Sequence, residues 1–281
     1  MGYWYEGEVL MKPIKTILIA FILVMLAACQ FALSPWETDT HCPGVSVKEN
    51  IHLLNLMEQQ QGGKDHFKVA IVSDTHQWPE DLQDTVEIIN RDDSIDFMLL
   101  VGDLVETGIK QEFEWTCKAL SHLNKPVVSI IGNHDALSYG KEIWLDVFGP
   151  YDFSFTYQNT KFIAYNDNKY EFNNVPSRDW LAEQAKLDDG EVRNHTIGVS
   201  HSAPWDSDPG LSQHLKDSGF DHMLHGHQQK FDYWQFSETQ LPHFINADNR
   251  GSKYSVMTVY SNSISMENCD PQCVIVTIRN R

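Results

Sequence analysis

The sequence predicts an α/β protein whose strands run both parallel and antiparallel. Three observations carry this. Apolar, β-branched runs recur and stop abruptly on a polar turn, as in Val127-Val-Ser-Ile-Ile-Gly-Asn-His-Asp135; such runs read as strands buried on both faces. Amphipathic helical patterns lie between the early runs, which implies βαβ units with helices packed on a sheet. The middle of the chain alternates apolar and polar residues around short turns, the pattern of antiparallel hairpins.

Taken in order, residues 1–28 read as a leader. Met11-Lys-Pro-Ile-Lys15 is a short positive region, and Ile17 to Leu26 is almost wholly apolar. That run is shorter than the ~20 residues that span a bilayer, and it suits the core of a secretory signal peptide. Glu6 and Glu8 do not fit a positive region, so Met11 is the expected start of translation. Residues 29–65 read as tether and lead-in, with Pro35, Pro43, Gly44 and Gln59-Gln-Gln-Gly-Gly63 as loop and one short helix over Ile51 to Gln59. Residues 66–281 read as one domain.

Within that domain, strands are predicted at Phe67–Ser73, Asp96–Val101 and from Val127. Helices between them fall at Asp81–Asn90, with Leu82, Val86 and Ile89 on one face, and Lys110–Leu123, with Phe113, Cys117 and Leu120 at helical spacing. Tyr151–Tyr157 and Lys161–Tyr165 flank Gln158-Asn-Thr as a hairpin. Pro176–Leu187 reads as a helix with Trp180 and Leu181 as core anchors. Thr196–Ser200, Asp221–His225, Phe231–Phe236, His243–Asn246, Tyr254–Tyr260 and Val274–Arg279 read as strands. There is no internal repeat.

The 281 residues carry 21 basic and 39 acidic side chains, a net charge of −18. Without a Lys/Arg cluster, a duplex nucleic acid is not the expected partner. Bound cations would still attract a small phosphate, because the ions dominate the local field. Loss of residues 1–28 would leave the charge unchanged, since Glu6 and Glu8 balance Lys12 and Lys15. Beyond Cys29, the four cysteines Cys42, Cys117, Cys269 and Cys273 suggest disulfides in one of three pairings. Cys269 and Cys273 flank a turn sequence and could close a small loop; a zinc ligand pair is the alternative, without a second pair nearby.

Five predicted strand ends carry residues of metal-ligand type: Asp74 and His76, Asp103, Asn133 and His134, His201, and His227. Packing does not require such residues there, whereas a metal centre does. Their order, Asp-x-His, Gly-Asp, Gly-Asn-His-Asp, a lone His, then Gly-His, resembles the calcineurin-like metallophosphoesterase superfamily from His66 to about Ser265. Phe148-Gly-Pro150 and Asp179-Trp-Leu181 are similar to connecting segments of that family.

The resemblance implies a four-layer α-β-β-α sandwich, two mixed β-sheets flanked by helices. It also implies two divalent metal ions, from among Mn, Fe, Zn and Ni. By motif, Asp74 and His76 match ligands of the first metal, Asp103 the bridging carboxylate, and Asn133, His201 and His227 ligands of the second. A carboxylate between two ions about 3.5–4 Å apart offsets their repulsion. His134 matches the catalytic histidine. Glu106 stands where an acid orients that histidine in the protein phosphatase branch; a solvated loop residue is the alternative. Thr107 replaces that branch's arginine, and Glu106 stands near where purple acid phosphatases have a tyrosine, so neither branch is favoured.

One position departs from the family. Its pattern Gly-His-x-His is Gly226-His227-Gln228-Gln229 here, and Gln229 takes the last ligand position. An amide oxygen coordinates a hard cation, but more weakly than imidazole binds a transition metal. Gln229 is expected as a weak ligand, or else the site keeps one metal tightly; His225 is the candidate substitute ligand, although it precedes the turn.

The implied function is metal-dependent hydrolysis of a phosphomonoester or diester in a small phosphorylated substrate. A hydroxide held between the metals would attack phosphorus while His134 assists the leaving oxygen. The competing class is a non-catalytic envelope lipoprotein that holds a phosphorylated ligand or a metal. Leu26-Ala-Ala-Cys29 resembles a bacterial lipobox, which implies an acylated Cys29 and the membrane as a partner. Gln30, not aspartate, follows Cys29. The expected location is therefore the cell envelope, at the periplasmic face of the outer membrane where a cell has two membranes. Loop sequence carries no code for the natural substrate.

Overall fold

In the computed structural model, residues 15–24, 37–203, 210–237 and 240–280 are described. Helix α1 (residues 15–24) belongs to a first unit that ends at Glu37. Among the described residues no helix is long and apolar enough to cross a membrane. Leu26-Ala-Ala-Cys29 lies outside the described residues.

Two sheets build the second unit, Thr38–Arg281. In the first, β1 (His66–Val72), β2 (Phe97–Val101) and β3 (Val127–Ile130) run parallel. Strand β10 (Tyr254–Tyr260) pairs antiparallel with β1 and continues through β11 (Ile264–Cys269) to β12 (Cys273–Val276). The second sheet has the order β13-β8-β9-β7-β6-β5-β4. Its centre, β5 (Thr160–Ala164), β6 (His195–Val199), β7 (His222–His225) and β9 (His243–Ile245), is parallel. It is flanked by antiparallel β4 (Phe153–Tyr157) and β8 (Asp232–Gln235), with β13 (Arg279–Asn280) at the edge.

The period-two alternation of each strand decides which layer a side chain joins. Val69, Ile71, Phe97, Leu99 and Val128 point between the sheets and meet Phe155, Phe162, Ile197, Val199 and Leu224 from the other side. Their neighbours Ala70, Val72, Met98 and Leu100 point outward. There they pack on α3 (Pro79–Arg91), α4 (Lys110–Leu120) and α5 (Gly140–Val147) through residues such as Val86, Phe113 and Trp144. On the far face Ile163, Tyr165 and Met223 pack against Leu181 and Ala185 of α6 (Arg178–Ala185) and Leu215 of α7 (Leu211–Asp217). The result is four layers, helix, sheet, sheet, helix, as the resemblance implies. Each large apolar side chain buried this way contributes about 1.5–3 kcal/mol.

The second unit starts at Thr38, ahead of the expected boundary at His66. Strand β3 ends its sheet and needs a cover. Helix α2 (Val47–Gln61) supplies one. Leu54 is fully buried, and Asn50 accepts a hydrogen bond from Val127 N at 2.8 Å through Oδ1. The helix starts ahead of its Ile51–Gln59 expectation, where Val47 is buried, and Val45 just before it enters the core as well. A disulfide joins Cys42 to Cys117 on α4, across 75 residues, and a second joins Cys269 to Cys273. By loop-closure entropy alone a link over such a length stabilises by about 4 kcal/mol.

Three elements, α5, α7 and β11, have no counterpart in the sequence reading. The two helices span eight and seven residues, too few turns for periodicity to stand out. Helix α6 is trimmed at its start because Ser177 caps it, accepting from Trp180 N at 3.2 Å. The expected last strand, Val274–Arg279, is divided between the two sheets as β12 and β13.

Candidate metal centre

The sequence-predicted donors stand on loops that leave the carboxyl ends of β1, β2, β3, β6 and β7. Both sheets contribute, and their parallel strands deliver the loops to one edge. The backbone there is strained. Asp74, His76, Asp103, His227 and Gln229 all have positive φ, from 42° to 67°, a state that costs a non-glycine residue about 1–3 kcal/mol and persists where the surroundings enforce it. Two glycines make room. At Gly132 a Cβ would lie 2.2 Å from both the N and the Oδ1 of Asp103. At Gly102, with φ +78°, it would lie 2.3 Å from His201 Nδ1.

Asp103 is the centre of the arrangement. Its Oδ2 is 3.0 Å from His201 Nε2 and 3.9 Å from His76 Nε2. Its Oδ1 accepts from His134 N at 2.9 Å. His76 Nε2 is also 3.8 Å from Asp74 Oδ1, and Gln229 Nε2 stands 3.1 Å from the same ring nitrogen. On the other side, His227 Nδ1 and Asn133 Oδ1 are 3.0 Å apart, while His227 N donates to Asp74 Oδ2 at 3.1 Å. Ligand atoms of His76, Asp103 and His134 lie within 4.8 Å of one another, and so do those of Asp103, His201 and His227. Two donor groups therefore share Asp103.

These residues fit divalent cations. His201 Nδ1 donates to the Val101 carbonyl at 2.9 Å. A carbonyl only accepts, so Nδ1 carries the proton and Nε2 is turned toward the carboxylates. Asp74 Oδ1 is buried with no hydrogen-bond partner, which is costly unless a cation lies against it. Burial pushes the Asp74 carboxyl up to about 7. Burial would also raise Asp103, but the His201 charge and the His134 contacts hold it at about 2. Burial would lower His201, yet Asp103 and Asp74 carry it up to about 10. The carboxylates thus draw a proton onto His201, and a metal ion answers the same field without one.

His134 Nδ1 donates to the backbone carbonyl of Glu106 at 2.7 Å. Burial lowers the His134 pKa, but that carbonyl and the Asp103 and Glu106 charges outweigh it and the net shift is upward. The expected contact between the Glu106 carboxylate and His134 is replaced by this one. The carboxylate turns to His76 instead, with Oε2 3.0 Å from Nδ1, while Oε1 stays 3.9 Å from His134 Nδ1. Motif spacing placed Glu106 beside the site without saying which of its oxygens faces which ring.

His225 joins neither donor group. It is buried and pairs through Nε2 with His243 Nδ1 at 3.1 Å. His195, His214, His222 and His243 also stand outside the two groups. Two further carboxylates, Asp135 and Asp167, brace the loops of the site and received no role from the sequence. Asp135 accepts from Leu104 N, Val105 N and Gly132 N at 2.7, 3.0 and 2.8 Å, clamping the loop after β2 to the loop after β3. Its place as the fourth residue of Gly-Asn-His-Asp was the signal available. Asp167 accepts from Ser202 N at 2.9 Å and so fixes the backbone next to His201; no motif marks it.

A sandwich of two sheets thus gathers residues of metal-ligand type at one strand edge. The profile of the family described as calcineurin-like phosphoesterase matches residues 67–231. That is more than half of the chain and includes every donor named above, and the chain belongs to the calcineurin-like phosphoesterase family. No curated protein matches it. Solved structures of the same fold include PhoD, with a TM-score of 0.57 at 10% identity over 77% of this chain and 69% of that one. Purple acid phosphatase PPD1 from yellow lupin (Lupinus luteus) seeds gives 0.59 at 13%, over 78% of this chain. The match spans only 55% of the lupin enzyme. GAP50, the anchor in the inner membrane complex of Plasmodium, gives 0.53 at 13%, over 78% of this chain and 90% of that one.

Proposed function

We propose that the protein hydrolyses a small phosphoester with two divalent ions. The observation that carries this reading is the pair of donor groups that share Asp103. Asp74, His76, Asp103 and Gln229 would hold one ion, and Asp103, Asn133, His201 and His227 the other. When bound, the ions lower the pKa of water and screen the phosphoryl oxygens. The remaining work falls to the protein. His134, held through Nδ1 by the Glu106 carbonyl, passes a proton from Nε2 to the leaving oxygen. A cavity beside Asn133 and His227, walled by Asn168, Lys169, Tyr170 and Ser202, is where the rest of the substrate would lie.

Purified protein assayed with each of Mn, Fe, Zn and Ni should cleave an aryl phosphate or a bis-aryl phosphodiester, and a chelator should stop it. Ions bound at full occupancy without hydrolysis of either ester would favour the non-catalytic alternative, for which an anchor protein of the same fold is a precedent in shape.

The lipobox resemblance supports a further part of the reading, that acyl chains on Cys29 hold the protein at the outward side of the envelope. Each buried CH₂ adds about 0.8 kcal/mol, and stable anchoring takes more than one chain. Fractionation of cells expressing the native protein and a Cys29→Ser variant is the test. The native form should pellet with membranes and the variant should not; equal solubility of both ends the lipid-anchor reading.

A further inference from the structure

The two ligand sets of the proposed function are chemically unlike. Asp103, Asn133, His201 and His227 offer two imidazoles, a carboxylate and an amide. Asp74, His76, Asp103 and Gln229 offer one imidazole, two carboxylates and an amide. The amide of Gln229 stands 3.1 Å from His76 Nε2. Two donors each about 2.0–2.2 Å from one ion and at right angles are themselves about 3 Å apart, so this is the separation of co-ligands. The amide's oxygen and nitrogen ends exchange by a flip, which presents Oε1 to a cation. The backbone is committed to this placement, with φ 54° at Gln229. Gln229 is solvent-exposed, as is His227 of the other set, whereas Asp74, His76 and Asp103 are buried. The Glu106 carboxylate lies behind the single imidazole of this group, with Oε2 3.0 Å from His76 Nδ1.

We propose that the protein carries two different metal sites. Asp103, Asn133, His201 and His227 hold a transition ion tightly. Asp74, His76, Asp103 and Gln229 form an exchangeable site that prefers a hard cation, Mn²⁺ or Mg²⁺. Carboxylate and carbonyl oxygens suit Mg and Mn, while imidazoles suit Zn, Fe and Ni. An amide in place of a second imidazole moves the first site toward the hard ions and lowers its grip on the others. Its occupancy then follows the surrounding concentration of the hard ion, so the share of complete centres is set from outside. The proposal rests on the donor assignment of the proposed function, not on turnover.

The test is metal counting. Full-length protein is loaded with Zn²⁺ and Mn²⁺ and dialysed against a weak chelator, and retained ions are measured by elemental analysis. Mn²⁺ is then titrated in while free Mn²⁺ is followed by its paramagnetic resonance signal. The native chain should retain about one Zn per chain and take up one Mn on the order of 10²-fold more weakly. Gln229→His should retain two Zn through the same dialysis. Gln229→Ala should lose Mn uptake by about tenfold or more and keep its Zn. His134→Ala should change neither ion. Two equally retained ions in the native chain, no tightly held ion, or a Gln229→His variant that binds as the native chain does would each overturn the proposal. So would loss of the Mn equivalent in His134→Ala, which would make His134 the missing donor. Hydrolysis is read separately on the aryl esters: unequal sites without turnover refute the function and leave this inference standing.

Discussion

Asp103→Asn is expected to remove activity by more than about 10³-fold and to empty at least one metal position. The substitution keeps size and shape, so the loops need not collapse. What disappears is the charge that both donor groups share. His201 Nε2, 3.0 Å away and buried, would then face an amide, and His76 would keep only Asp74 as a charged neighbour among the donors. The measurement pairs kcat/KM on an aryl phosphate with elemental analysis of the same sample. Retained metal together with activity within tenfold of the native enzyme would remove Asp103 from the centre of the site.

His134→Ala is expected to lower kcat by about 10²-fold or more with both metals still bound. The ring reaches the Glu106 carbonyl through Nδ1, which leaves one nitrogen for the substrate. A proton donor matters most when the leaving alcohol is poor. The loss should therefore be large for an alkyl phosphate and small for a nitrophenyl phosphate, a contrast that a merely structural role would not produce. The atoms of His134 also lie within 4.8 Å of those of His76 and Asp103. Loss of metal in the variant, with equal losses for the two esters, would show that His134 is a ligand.

Much of this was legible in the chain, for reasons that particular residues make plain. Val69 and Ile71 against Ala70 and Val72 show why a fully apolar run is a strand between two layers: both sets are buried, but in different cores. The donors could be found because each follows such a run directly and needs no knowledge of distant contacts. What could not be read is what depends on partners far along the chain. Glu106 facing His76 rather than His134 is a matter of side-chain direction across a loop. Asp167 is tied to Ser202, 35 residues away. The cysteine pairing was open because loop lengths alone admit three connectivities, and α2 joined the body only because β3 left an edge that Asn50 and Leu54 could cover.

Each proposed ligand set draws on both halves of the sandwich: Gln229 arrives from the second sheet to meet His76, and His201 and His227 arrive from it to meet Asp103 and Asn133. The reach between them is thus gauged by the aromatic layer in the middle, where Phe97, Phe155 and Phe162 set how closely the sheets approach. A misplacement of about 1 Å in a reacting group can cost about 10²-fold in rate. Enlarging or thinning one ring there, remote from any phosphate, is therefore expected to shift the two sets of loops against each other without touching a ligand.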